Sequence, residues 1–121
     1  MELINNIQKQ IYETLSRKYK VTDVPDENIT LPFIRIAGCN YSVEKVKGSK
    51  KKCYNIEQEI HIWSDYEGKK EINALMDIVS QMIEEIDFKA NIICNLPNYS
   101  NVIDLDGYKQ GILKFDIKID E

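Results

Sequence analysis

At 121 residues the chain is long enough for one compact core and too short for two, so residues 1–121 are expected to form a single domain. Apolar residues make up 43% and charged residues 30%, a globular balance, and no apolar run approaches the roughly 20 residues needed to cross a bilayer. Twenty Asp and Glu outnumber 16 Lys and Arg, leaving a net charge of −4 that argues against general nucleic-acid affinity, because neutralising phosphates takes a concentrated basic excess. Neither specific nucleic-acid binding nor a membrane is expected.

The N-terminus, MELINNIQKQ, lacks the basic-then-apolar order of a secretion signal, so the default address is cytoplasmic. Three cysteines, Cys39, Cys53 and Cys94, are odd in number and form no C-x-x-C, which indicates neither a disulfide framework nor a zinc site. Cys39 and Cys53 flank a basic connection and are expected to approach each other across a hairpin.

Leu3, Ile4, Ile7, Ile11, Leu15 and Tyr19 recur at steps of three and four and predict an amphipathic helix over 3–19. VTDVPDENIT follows as a loop, with Pro25 among Asp, Asn and Thr. LPFIRIAG reads as a short strand ending near Gly38 or slightly beyond, with Ile34 and Ile36 on one face and Pro32 at its start, where a missing N–H does no harm. EKVKGSKKK is a solvated connection between antiparallel strands. Residues 53–63 then alternate: Tyr54, Ile56, Ile60 and Ile62 point one way, interrupted by Gln58, while Asn55, Glu57, Glu59, His61 and Trp63 point the other.

SDYEGKK opens a second helix, with Ser64 or Asp65 as the N-cap candidate and Glu67 favourable near the positive helix end. Its stripe is Ile72, Leu75, Met76, Val79, Met82, Ile83 and Ile86. A brief apolar run at Ile92 to Cys94 and a Pro97 turn come next, then VIDLDG as a short strand closed by Gly107. The closing strand ILKFDIKID turns Leu113, Phe115, Ile117 and Ile119 inward. The expected class is α+β: about four mainly antiparallel strands with two amphipathic helices on one face, in the order α-β-β-α-β-β.

Chemistry is sparse. His61 shares a strand face with Glu57 and Glu59, close enough for a carboxylate to orient the imidazole and make a base or half a metal site. A metal would need three or four ligands, and a polar sheet face needs solvated residues anyway, with Lys114, Asp116 and Lys118 available as cross-strand partners; the solvated reading outweighs the catalytic one. No G-x-S-x-G, H-E-x-x-H or Gly-rich phosphate loop occurs, and no catalytic residue, metal or cofactor is assigned. Lys45, Lys47, Lys50, Lys51 and Lys52 gather positive charge in one connection, which reads as a docking segment for an acidic partner or a phosphate backbone, or as a solvated loop tip. No interleaved aromatics offer base stacking there.

The order of these pieces resembles the small tail-completion proteins of long-tailed bacteriophages, the tail-terminator or head–tail joining family. Leu31-Pro32-Phe33, the strand from Ile60 to Asp65, the helix stretch from Ala74 to Ile86 and the closing ILKFDIKI carry the likeness, which spans most of the chain; residues 87–110 match least. The resemblance implies a sheet packed by two helices and a non-enzymatic role as a ring, typically of six copies, at the end of the tail tube. It also implies three partners, namely further copies of the chain, the tail tube protein and the head connector protein. The implied location is the host cytoplasm during assembly and then the tail–head junction of the virion. On that reading Glu57, Glu59, His61 and Trp63 are candidates for a subunit contact. Competing readings are a neck or minor head protein of the same particles, a small metal-dependent hydrolase using Glu57, Glu59 and His61, and a ligand-binding domain with a pocket between sheet and helices.

Overall fold

The computed structural model describes residues 2–22, 32–45, 48, 52–65, 68–86, 92–94, 99–105 and 108–120. Along the chain run α1 (Glu2–Ser16), β1 (Val21–Thr22), β2 (Phe33–Lys45), β3 (Lys52–Ser64), α2 (Lys70–Glu84), β4 (Ile92–Cys94), β5 (Tyr99–Leu105) and β6 (Tyr108–Asp120). They build one six-stranded sheet in the order β1-β2-β3-β6-β4, with β5 also pairing along β6. β1 runs parallel to β2 and every other pairing is antiparallel. β3 and β6 form the centre, because both are long and each has a strand on either side.

The class is α+β, as expected, but the sheet has six strands rather than about four and the order is α-β-β-β-α-β-β-β. The additional strands are short. β1 is two residues within the stretch expected to be a loop: Ile34 donates its N–H to the Lys20 carbonyl at 2.9 Å, and β-branched Val21 and Thr22 accept the extended backbone that pairing requires. β4 realises the Ile92–Cys94 apolar run. Helix α1 closes earlier than Tyr19, its last turn fixed by the Tyr19 N–H on the Leu15 carbonyl at 2.9 Å.

One face of the sheet carries the core. Even-numbered residues of β3 (Ile56, Ile60, Ile62) and odd-numbered residues of β6 (Leu113, Phe115, Ile117) stand opposite one another in register and are buried. Ile7, Ile11 and Leu15, each one turn apart on α1, and Ile72, Leu75, Met76, Val79 and Ile83 of α2 fill the same core. The space between helices and sheet is therefore packed side chain. Gly111 is where α2 comes closest: a Cβ there would lie 2.8 Å from Met76 Sδ and 3.2 Å from Ile72 Cδ1. Gly111→Val is expected to destabilise by about 2 kcal/mol through overpacking, with Met76→Ala recovering part of that loss; urea midpoints of the two single variants and the double variant check the coupling.

Gln58, which breaks the apolar alternation of β3, is fully buried, and a β-bulge explains it. The β2–β3 register shifts between Ile36 and Cys39, so that Ala37 and Gly38 stand where a regular ladder would have one residue. The Gln58 amide turns into that gap. Nε2 donates to the Ala37 and Glu59 carbonyls at 2.9 Å each, and Oε1 accepts from Gln8 Nε2 of α1 at 3.0 Å. Beyond the bulge β2 continues to Lys45, several residues past the end expected near Gly38 or slightly beyond.

Neither Ser64 nor Asp65 caps α2. The helix begins at Lys70 behind Lys69, which makes no side-chain cap. Ser64 stays in β3, buried, and its hydroxyl donates to Glu71 Oε1 in the first helical turn at 2.6 Å, tying strand to helix from the sheet side. Glu67 lies outside the described residues. Cys39 stands opposite Gln58 and Cys53 opposite Glu44, so the two thiols occupy different rungs and opposite faces and do not approach across the hairpin; neither forms a disulfide. The Cys94 side chain is outside the described set.

Candidate functional site

No helix among the described residues lies on the other sheet face. Register fixes its rows across β2, β3 and β6: Phe33, Trp63 and Gln110; then Arg35, His61 and Ile112; then Glu59 and Lys114; then Asn40, Glu57 and Asp116; then Ser42, Asn55 and Lys118. Alternation in a strand puts each row's side chains on one surface, so the predicted set Glu57, Glu59, His61 and Trp63 does share a face.

Within that face the chemistry divides. Phe33 and Trp63 stack with centroids 4.8 Å apart and planes 14° from parallel, and the His61 ring meets Trp63 edge-on at 5.6 Å. His61 Nε2 lies 3.0 Å from Glu59 Oε1 and Nδ1 lies 3.3 Å from Gln110 Nε2. The tautomer that satisfies both contacts carries its proton on Nε2, donates it to Glu59 and accepts the Gln110 amide at Nδ1. Both ring nitrogens are thereby engaged by protein. Glu57 sits two rungs from His61, opposite Asp116. No group of three or more His, Cys, Asp and Glu positioned to hold a metal occurs among the described residues.

Arg35 flanks His61 on β2, and its Nε is buried without a hydrogen-bond partner. A surface hollow of about 400 Å³ lies further along the hairpin, lined on this face by Asn40, Ser42, Asn55, Glu57, Asp116 and Lys118. At the β5–β6 end, Lys109 Nζ bonds Asp104, and that bond together with the lysine charge holds the exposed Asp104 carboxyl below the usual carboxylate range. Because the folded pKa is lowered, whatever this pair contributes is present at neutral pH and lost as the pH falls through the folded value.

What the arrangement offers is a flat, half-buried patch in which an aromatic pair, an arginine, a histidine and a carboxylate stand side by side, the residue types that anchor protein contacts. Phe33, Arg35 and Gln110 escaped the sequence reading. The alternation of Ile34 and Ile36 placed Arg35 on this face, but only the β3–β6 register brings Gln110 to His61. His61→Ala is expected to cost about 1 kcal/mol, the two exchanged hydrogen bonds of a half-buried ring, read as a melting shift of a few degrees.

Of the lysine cluster, Lys45 and Lys52 pair as the last rung of the β2–β3 hairpin, while Lys47, Lys50 and Lys51 lie outside the described residues. Gly48 between them has φ 80°, the left-handed region glycine enters without Cβ strain. No helix of the described residues is long and apolar enough to cross a membrane.

The sequence matches no protein-family model and no curated protein. Among solved structures, a chain from a structure titled "Virion of native gene transfer agent (GTA) particle" superposes with a TM-score of 0.70, over 95% of this chain and 92% of that one, at 11% sequence identity. This α+β fold is thus similar, nearly end to end, to that of a chain in a gene transfer agent virion.

Proposed function

We propose that this chain is a structural component of a phage-like virion and that, within the particle, it completes the tail. Copies close as a ring, typically of six, on the last ring of tail tube protein. That ring covers the surface that would recruit further tube protein and presents a new one to the head connector protein. The observation that carries the reading is the near full-length similarity of fold to a chain of a virion particle. The order of elements shared with tail-completion proteins supports the finer role. On this reading the chain is a single domain without enzymatic activity or cofactor, made in the bacterial cytoplasm and carried to the tail–head junction.

The lysine-bearing end of the β2–β3 hairpin is the segment we assign to docking, since five lysines on a protein of net charge −4 attract an acidic surface. Replacing Lys45, Lys47, Lys50, Lys51 and Lys52 together by serine is expected to leave the fold intact and weaken attachment; unchanged attachment would reduce the segment to a connector. His61→Ala is expected to leave assembly intact unless this face is a subunit contact, whereas a hydrolase using Glu57, Glu59 and His61 would lose all activity.

The experiment that tests the reading is disruption of the gene in its source particle, followed by electron microscopy of the lysate. Free heads beside overlong or ragged tubes, rescued by supplying the protein, are expected. Free heads beside tails of normal length would assign a neck or joining role instead. Intact, infectious particles would overturn assembly altogether.

A further inference from the structure

Among the described residues both lateral edges of the sheet are open: on one side β1 covers β2 at Ile34 and Arg35 and no described residue pairs with β2 beyond them, and on the other no described residue pairs with the outer side of β5. The Ile34 N–H directed at Lys20 fixes which backbone groups of β2 point outward, since directions alternate along an antiparallel strand. Carried past the bulge, the alternation turns the N–H and C=O of Cys39, Tyr41 and Val43 outward and those of Asn40 and Ser42 toward Glu57 and Asn55 of β3. Carried across β3 and β6, it gives the inward bonds of β5 to Tyr99, Asn101 and Ile103, and the outward groups to Ser100, Val102 and Asp104.

Sheets normally blunt such an edge with proline, a charged side chain or a covering segment. From Cys39 to Val43 the sequence CNYSV holds no proline and no charged side chain, no described segment covers it, and Tyr41 and Val43 stand 47% and 44% exposed on the helix-side face, beyond the cover of the helices. β2 is antiparallel to β3, β3 to β6 and β6 to β5, so β2 and β5 run in opposite directions at the two ends of one sheet. Copies related by rotation about an axis along the strands would meet β2 against β5 antiparallel, the better-bonded pairing. Beyond the bulge, Cys39–Lys45 of β2 is as long as β5, seven residues each. Charge favours the same occupant: outside the five hairpin lysines, 11 basic residues face 20 acidic ones, so the body of a second copy suits the basic end of the first.

We infer that the open edge of β2 is the joint at which a second copy of this chain adds, head to tail, by antiparallel pairing with its β5. The contact is heterologous: each copy offers one edge and accepts at the other, so it closes into a ring when the rotation permits and grows as a filament when it does not. The inference rests on the ring reading and names its joint. Tyr41 and Val43 are then covered by the helix layer of the incoming copy.

The full chain is the material for the test. Sedimentation across a concentration series finds where it associates, and amide exchange is followed by NMR on either side of that point. Expected is exchange at least about tenfold slower in the associated form at Cys39, Tyr41, Val43, Ser100, Val102 and Asp104, with Asn40 and Ser42 protected in both forms. Tyr41→Pro removes one outward N–H, spares the β3 ladder and should give a folded chain that no longer associates, whereas Ser42→Pro should lose stability. Association with the outward amides still exchanging freely, or undiminished in Tyr41→Pro, overturns the edge joint and leaves the ring standing. A chain still monomeric at about 1 mM overturns the self-assembling ring and the joint together. If Tyr41→Pro fails to fold, the exchange pattern of the unaltered chain decides alone.

Discussion

Phe115→Ala should lower the unfolding free energy by about 4 kcal/mol, the largest loss expected from any single truncation in the core. Phe115 is the largest of the fully buried side chains, sits in the middle of β6 and stands opposite Gln58 on the central strand of the sheet. Truncation loses the transfer free energy of the ring and leaves a cavity that two flanking strands and a helix layer cannot collapse to fill. Against a total stability of roughly 5–15 kcal/mol for a domain, such a loss removes a large share of the folded margin. The check is a urea titration at a concentration too low for self-association, because assembly would add stability by mass action and hide part of the effect. Phe115→Leu is the control, expected to cost roughly 1–2 kcal/mol because it retains most of the volume.

The second large effect is expected at Gln58. Leucine has nearly its shape but no polar atoms, so Gln58→Leu leaves the Ala37 carbonyl and the Gln8 amide without their partner in a closed environment. Stranding buried polar groups costs about 1–3 kcal/mol each, and a net loss near 3 kcal/mol is expected. Gln58→Glu should be worse, because a carboxylate would face two carbonyl oxygens where the amide now donates. The signature that separates Gln58→Leu from Phe115→Ala is local. Amide exchange around the bulge at 36–39 should accelerate in the Gln58 variant by more than its global stability loss explains, whereas Phe115→Ala should lower protection throughout the slowest-exchanging core.

That contrast also explains which parts of the fold were legible beforehand. α1 and α2 carry a 3.6-residue period along most of their length and β3 and β6 a period of two, broken in β3 at Gln58, so their buried faces can be read directly from spacing. β2 is legible only to its bulge. One inserted residue at Ala37–Gly38 resets the parity, so Tyr41 and Val43 fall on a face that counting from Ile34 and Ile36 would not assign them. The signal was present on the neighbouring strand: a glutamine at a core position of β3 needs partners, and an interrupted ladder supplies carbonyls that want a donor. β1 could not be read, since two residues hold no period and their pairing comes from Lys20 and Ile34 being brought together by the rest of the fold.

The candidate site divides along the same line. Membership of Glu57, Glu59, His61 and Trp63 on one face follows from alternation alone, whereas the identity of their neighbours depends on register. Gln110 reaches His61 because Trp63 pairs with it, and Phe33 stacks on Trp63 because those two residues share a rung. Of the two glutamates grouped with His61, Glu59 lies beside the ring and Glu57 stands two rungs away, opposite Asp116.

The central pair β3–β6 has a temporal meaning. β2 and β3 are neighbours along the chain and can zip as soon as both leave the ribosome, but β3 has no second partner until β6 is made, and its rungs reach from Ser64–Lys109 to Cys53–Asp120. Such distant pairing is slow to nucleate, and until it forms β3 lacks the hydrogen-bond partners of its second side. An incomplete nascent chain therefore displays the basic hairpin before it has a β5 edge to offer. On the proposed edge joint, competence to join other copies would arrive only when synthesis has passed β6, and the order of strands along the chain would delay joining until the sheet is whole.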